Sequence, residues 1–245
     1  MFDEQSSTPL YLQIREVLRQ RITSGEYQIG ARLPSERELA QTYDVSRMTA
    51  RLALQLLSQD GLIHSRVGKG TFVSQPKINQ ELSMLIGFTE DMGRRGMMAA
   101  SRVLDAGQRK ADAEVAPQLQ IDPGTTLYVL RRVRLANGEP LALETAHLNR
   151  TLCPNLFEGR DFAVLSLYRV LRESYGLRLL RAEQVIAARL PDAQECEALG
   201  IGSREPVLSQ TRTTYDDQQR PVEFVRSVYI GSAFQLRTTL RYAEA

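Results

Sequence analysis

Two cysteines, Cys153 and Cys196, are all that the chain of 245 residues carries. They offer no zinc-ligand spacing and no disulfide framework, and they suit a reducing cytoplasm. The two histidines, His64 and His147, are equally sparse and make no metal site by themselves. There is no HExxH, no GxSxG and no Walker loop. The string Gly68-Lys69-Gly70-Thr71 lacks the upstream glycine and the strand–loop–helix setting that a phosphate loop needs. No apolar run approaches the roughly 18 residues of a membrane span, and no signal peptide is legible. Neither sign of charge dominates: 31 Lys and Arg against 29 Asp and Glu leave a net +2, so there is no long basic tail. These absences lead to an expectation of no metal, no cofactor, no membrane partner and no catalytic residue. The length suits two domains of unequal size.

What is present concentrates first in residues 33–73. Ser35 followed by Glu38 is a capping box, in which the serine oxygen takes an orphan helix N–H and the glutamate reaches back. Leu39 and Ala40 supply an inward face, and Val45 falls in a turn. Ser46 is a second cap candidate. Ala50, Ala53, Leu54 and Leu57 recur at helical spacing and form one apolar stripe. Arg47, Arg51 and Gln55 fall on the opposite side. Gly61 is placed to end that helix. Two short strands, 62–66 and 71–73, follow around the turn 67–70. Two short helices, a tight turn and a hairpin make a winged helix-turn-helix. Its second helix presents arginines that can grip the O6 and N7 edge of guanine, and helix N-termini offer N–H groups to phosphate. DNA affinity in so weakly charged a chain must come from local clusters, chiefly Arg32, Arg37, Arg47, Arg51, Arg66 and Lys69. Two half-sites on a homodimer would add their affinities.

This segment resembles the GntR family of bacterial transcription regulators. The matching pieces are 33–37 (LPSER), Val45-Ser46-Arg47, Thr49-Ala50-Arg51, Ala53-Leu54 and 68–73 (GKGTFV). The opening helix fits too, with Thr8 as cap, Pro9 at the first helical position, and Leu10, Ile14, Val17, Leu18 and Ile22 behind it. The resemblance covers about residues 8–74. It implies that Ser35, Arg37, Ser46, Arg47, Thr49, Arg51, Arg66, Gly68 and Lys69 form the DNA-binding surface, on an inverted-repeat operator.

Beyond a polar, proline-containing stretch at 75–80 the pattern changes to period two, and it repeats. Asp112 through Ile121 resembles Asp192 through Ile201, and Arg132 falls on Arg212 at the same offset of eighty residues. Each copy reads as a short helix, a strand, a turn and a returning strand. The first hairpin is Leu127–Leu135 and Leu141–Leu148 around Asn137-Gly138. The second is Val207–Tyr215 and Val222–Ile230 around 216–220. A further helix is expected at 164–175, ending at Gly176. The expected organisation is a DNA-binding domain at 1–75, a linker at 76–80, and an effector-binding and dimerisation domain at 81–245. The fold class is α+β.

The second region resembles the UTRA domain of the HutC subfamily within that family. The resemblance is carried by 87–92 (GFTEDM) with Arg95-Gly96, 132–134 (RVR), 138–141 (GEPL) with Glu144, Ser166-Leu167-Tyr168, and Pro221-Val222-Glu223 with Arg226-Ser227. It implies a chorismate-lyase-like antiparallel sheet with helices, which senses a small metabolite without transforming it. Alternation places Tyr128, Leu130, Arg132 and Arg134 on one strand face, where two arginines either clamp an anion or form a solvated surface. Thr89 either only caps its helix or also helps hold an anion at the helix start. Glu144 and Glu223 either accept hydrogen bonds from sugar hydroxyls or an amine, or pair with the arginines. The resemblance implies an effector site of Phe88, Thr89, Arg132, Arg134, Glu144, Ser166, Tyr168, Glu223 and Tyr229. Similarity to amino-sugar-phosphate-responsive regulators puts a sugar phosphate first, with a carboxylate such as urocanate second. An enzyme with residual lyase-like activity and a constitutive DNA binder are the rival classes.

Overall fold

The computed structural model describes residues 8–66, 68–74 and 78–240. The chain divides into two compact units, the first built up to Asn79 and the second from Gln80 onward, with 200–202 and 232–235 grouped with the first. Among the described residues no helix is long and apolar enough to cross a membrane.

The first unit opens with α1 (Leu10–Thr23), α2 (Glu36–Tyr43) and α3 (Arg47–Gln59), followed by β1 (Ile63–Arg66) and β2 (Gly70–Val73). Ser35 and Glu38 close a full capping box on α2, with Glu38 N–H donating to Ser35 Oγ and Ser35 N–H donating to the Glu38 carboxylate at 2.7 Å. Ser46 caps α3 by accepting from the Thr49 N–H. Asp44, left-handed at φ 51°, ends α2 and allows the tight turn between the two helices. Ile14, Leu18, Leu39, Ala50, Ala53 and Leu57 are buried together with Ile63 and Val73, so helices and hairpin share one core. The start of α1 differs from expectation. Pro9 is itself the cap residue, at φ −53° and ψ 141°, and no side chain caps the helix. Its extended ψ places it outside the first turn, so Thr8 lies one position too early to act as cap.

β1 and β2 pair antiparallel, Ile63 opposite Val73 and Arg66 opposite Gly70. Of the wing turn, Val67 lies outside the described residues. Gly70, at φ +112°, sits against Arg32, where an added Cβ would come within 2.9 Å of Nε. The backbone conformation disfavours a side chain there, and Arg32 would have to shift to admit one. Of the expected linker, Pro76 and Lys77 lie outside the described residues, as does Gln75 before it. Ile78–Gln80 open a strand, β3 (Ile78–Glu81).

The second unit adds α4 (Phe88–Arg94), β4 (Ala99–Lys110), α5 (Val115–Gln118), β5 (Thr126–Ala136), β6 (Glu139–Leu148), α6 (Leu167–Tyr175), β7 (Leu179–Arg189), α7 (Ala193–Leu199), β8 (Val207–Asp216) and β9 (Pro221–Ile230). A last strand, β10 (Phe234–Arg237), pairs with β3. The main sheet is antiparallel with six strands in the order β4-β5-β6-β9-β8-β7. The internal repeat is thus β4-α5-β5-β6 followed by β7-α7-β8-β9, and the two copies meet where β6 pairs β9. The leading strand of each copy, absent from the sequence reading, is an edge strand in which no residue is fully buried. A strand wet on most of its surface needs few apolar residues, so its pattern is faint. The β5–β6 turn holds Asn137 and Gly138 both at positive φ, 50° and 83°, the geometry that suits a two-residue hairpin.

α6 is shorter than the expected 164–175. Ser166 accepts from the Arg169 N–H and caps it, so the helix starts at Leu167, while Val164 stays outside and exposed. The inward face of α6, Leu167, Val170 and Leu171, packs with Tyr128, Leu130, Ala146, Leu148 and Val225 from the sheet. That packing fixes which sheet face α6 covers, and the cleft described next lies on the same face.

Candidate functional site

The proposed reading head presents its basic residues outward. Arg47 and Arg51 are exposed on α3, on the side away from buried Ala50, Ala53, Leu54 and Leu57. Gln55 is exposed one turn further along. Arg37 is exposed on α2, and Arg51 lies 3.9 Å from Glu36 in a loose ion pair. Ser35, Ser46 and Thr49 sit at the two helix starts, where their oxygens are engaged in capping. In the wing, the Arg66 guanidinium lies over the Phe72 ring, 5.1 Å from its centroid. Gly68, at φ +71° with open space around it, and exposed Lys69 form the wing tip. His64 stacks near Phe72 and reaches Ser74 through Nδ1 at 3.3 Å.

In the second unit a small, partly open cleft is lined by Gly87, Phe88, Thr89, Arg132, Arg134, Glu144, Ser166, Leu167, Tyr168, Arg212 and Glu223. Antiparallel register builds its floor, because residues paired across strands share a face. Arg132 pairs Glu144, and Glu144 pairs Ser227, which pairs Gln210. One step along, Arg134, Ala142, Tyr229 and Leu208 form a second row, and Leu130, Ala146, Val225 and Arg212 form a third. The fourth row ends on Glu223 and Thr214. Residues far apart in the chain are thereby set side by side.

Eight of the nine expected effector residues line the cleft, and Tyr229 does not. Tyr229 is buried in the same row as Arg134, so it faces the same side from behind the lining. Thr89 is not a helix cap. Gly87 occupies that position in extended conformation without a side-chain cap, and Thr89 follows Phe88 inside the helix. Its Oγ1 instead accepts from Arg134 Nη2 at 3.1 Å. Phe88 lies beneath the same guanidinium, 4.5 Å from ring centroid to Cζ. Gly87, Leu167 and Arg212 are further lining residues that the sequence reading did not select. For Arg212 the signal was there, since it is the repeat mate of Arg132.

The two arginines are not a solvated surface: Arg132 is 2% exposed and Arg134 3%. Arg132 forms an ion pair with Glu144 through Nη2, yet its Nε and Nη1 have no partner. Arg134 likewise leaves Nε and Nη1 unpartnered, with Glu144 3.9 Å from Nη1. Burial drags the Arg134 guanidinium down to about 10, against the attraction of Glu144. Burial alone would raise the Glu144 carboxyl, but Arg132 and Arg134 outweigh it and hold it at about 2. Glu223 is a different carboxylate. Burial pushes it above the usual range, with Arg212 opposing, and it accepts from the Tyr168 hydroxyl at 3.0 Å and the Thr214 hydroxyl at 3.4 Å. The cleft therefore holds three guanidinium groups against one firmly ionised carboxylate and one that resists ionisation. Buried donors without acceptors are rare because each forfeits hydration. Several on one sheet face could be satisfied together by an anion with many acceptor oxygens.

Among the described residues no group of three His, Cys, Asp or Glu side chains comes together as a metal site. His147 sits in β6 with Nδ1 near the Phe224 carbonyl at 3.2 Å, remote from the cleft lining.

Residues 10–73 match the model of the bacterial regulatory proteins, gntR family, and residues 94–235 match the UTRA domain. The chain is 38% identical over 232 residues to the HTH-type transcriptional repressor NagR of Bacillus subtilis, covering 95% of each. It is 31% identical to the histidine utilization repressor of Pseudomonas putida, covering 95% of this chain and 92% of that one. The crystal structure of PhnF from Mycobacterium smegmatis superposes with a TM-score of 0.66 at 32% identity, over 94% of this chain and all of that one.

Proposed function

The chain belongs to the GntR family of bacterial regulatory proteins, of the HutC type with a UTRA domain, and from that premise we propose that it is a transcription repressor released from its operator by a small anionic metabolite. A sugar phosphate is the first choice of effector. The observation that carries the reading is the set of unpartnered guanidinium donors on buried Arg132 and Arg134. Phosphate, with its many acceptor oxygens, satisfies several such donors at once. Phe88, Thr89 and Ser166 close the anionic end, where Glu144 pairs with Arg132 and Tyr229 shares the row of Arg134, while Glu223 and the Tyr168 hydroxyl bonded to it face the hydroxyl or amine end. A carboxylate effector is the runner-up, favoured by the same guanidinium pair.

The head reads DNA through Arg37, Arg47 and Arg51, with Ser35, Ser46 and Thr49 at the helix starts and Arg66, Gly68 and Lys69 in the wing. The protein acts as a cytoplasmic homodimer on an inverted repeat, since two-fold protein symmetry is mirrored in the site. It binds its effector without turnover. An effector that prefers the dimer unfit for DNA lowers operator affinity by linkage.

The test is a gel-shift titration at fixed salt with glucosamine 6-phosphate, glucosamine and urocanate. Glucosamine 6-phosphate is expected to weaken the operator complex of the wild type and glucosamine is not. Arg132→Ala should bind operator normally and ignore the phosphosugar. A variant that still responds like the wild type would overturn the anion site. Response to urocanate alone would select the runner-up.

A further inference from the structure

The helix α3 carries its two arginines on a flank of its outward face, not at the centre. At about 100° per residue, with Arg47 set at zero, Arg51 falls at about 40°, Gln55 at about 80°, Met48 at about 100° and Leu52 at about 140°. The buried residues Ala50, Ala53, Leu54 and Leu57 centre at about 290° on the same wheel, so the line farthest from the core runs at about 110°. Met48 and Gln55 straddle that line. Met48 is 69% exposed, and Leu52, one turn further along, is 39% exposed. Among the described residues of the head the exposed large apolar side chains are Ile29, Met48 and Leu52. Two of these three therefore share one face, between polar Arg47, Arg51, Gln55 and Gln59.

Position along the helix singles out Met48 from its neighbours on that face. It is the second residue of α3, just after the Ser46 cap, whereas Gln55 lies two turns later. A recognition helix offers its N-terminal residues to base edges, and the outermost line of a helix reaches deepest into a groove. The floor of the major groove has one apolar feature, the C5-methyl group of thymine. A methionine suits it, because an unbranched thioether adapts its shape to what it covers. Phosphates at the groove rim offer it nothing.

We propose that Met48 is a specificity-determining residue that packs its thioether on a thymine methyl group in each operator half-site, with Leu52 beside it. Three-residue spacing sets Met48 and Arg51 about 5–6 Å apart at Cβ, which is one to two base steps of about 3.4 Å. The thymine accordingly lies within two base pairs of the base that Arg51 grips. This inference rests on the reading of α3 as the groove helix, and the two can fail separately.

The experiment uses the full chain and an operator duplex that it selects from a random pool. Each thymidine of the half-site is replaced in turn by deoxyuridine, which removes the methyl group and keeps every hydrogen bond of the base pair. Gel shifts at fixed salt compare wild type, Met48→Ala, Met48→Leu and Arg51→Ala. One thymine position is expected at which deoxyuridine weakens wild type about fourfold in one half-site and about fifteenfold in both, the value of one buried methyl group each time. Met48→Ala should bind the thymine duplex more weakly by a similar factor and ignore the deoxyuridine change, while Met48→Leu keeps part of the discrimination. The salt dependence of Met48→Ala should match wild type, since no phosphate contact is lost. Arg51→Ala should weaken every duplex and retain the deoxyuridine penalty. If no thymine within two base pairs of the Arg51 position shows a penalty, or if Met48→Ala keeps it in full, the proposal is overturned while α3 stays in the groove. If Arg51→Ala and Met48→Ala both bind every duplex like wild type, the reading of α3 falls and this inference falls with it.

Discussion

Arg134→Met is expected to stabilise the protein without ligand while destroying its response to the effector. The guanidinium is 3% exposed and its pKa drops from 12.5 to about 10, chiefly through burial. A cation whose folded pKa is depressed destabilises the fold wherever it is charged. At about 1.4 kcal/mol per pH unit, the penalty is about 3 kcal/mol. It is full below pH 10 and fades as the pH rises toward 12.5, where the unfolded arginine titrates. Methionine removes the penalty. It also gives up the hydrogen bond to Thr89, about 1 kcal/mol, and the contact with the Phe88 ring, about 0.5–1 kcal/mol. The net gain is about 1–2 kcal/mol, or a rise of roughly 2–8 °C in melting temperature for a unit of this size. Thermal melts at pH 7, with and without glucosamine 6-phosphate, read the effect, and an operator gel shift runs alongside. The variant should melt above the wild type, gain nothing from the phosphosugar and hold operator normally. A variant that melts several degrees lower, or that keeps the ligand-induced rise, refutes the picture of a charge held ready for an anion.

Glu144 carries the opposite sign. Held at about 2 against 4.5 in the unfolded chain, its carboxylate contributes about 3 kcal/mol above pH 4.5, lost as the pH falls toward 2. Glu144→Gln should therefore melt lower at pH 7, with the gap more than halved at pH 3; a gap indifferent to pH would count against the ion pair. In the head, Arg47→Ala or Arg51→Ala should each cost roughly 1–3 kcal/mol per half-site at fixed salt if they contact base edges. Unchanged affinity and specificity in both variants would remove α3 from the major groove. Ser35→Ala removes the Oγ half of the capping box on α2 and should lower the stability of the head by about 1 kcal/mol, measured by urea unfolding; no loss would mean that water replaces the cap at no cost.

The head was legible nearly residue by residue because its signals are local. Caps lie three residues from what they cap, and the apolar stripe of α3 recurs every turn. The misreading of Thr89 as a cap shows the limit of such local logic. Gly87 and Thr89 both precede a run that can be helical, and what decides between them is Arg134, forty-five residues away. The edge strands β4 and β7 were missed because half-wet strands need little apolar patterning, although their repeat offset was available.

By itself the sequence determined the two-part organisation, the winged helix-turn-helix, the duplicated hairpins and eight of the eleven residues that line the cleft. The tertiary structure alone decided the electrical state of that lining. Whether an arginine on a strand is solvated or buried depends on what covers the sheet, and here α6 and the start of α4 stand over it. Only register across four strands could set Arg132 opposite Glu144 and let the buried carboxylates Glu223 and Glu144 meet the charge of Arg212. Charge–charge energies depend on distance and burial, and neither is encoded by spacing along the chain.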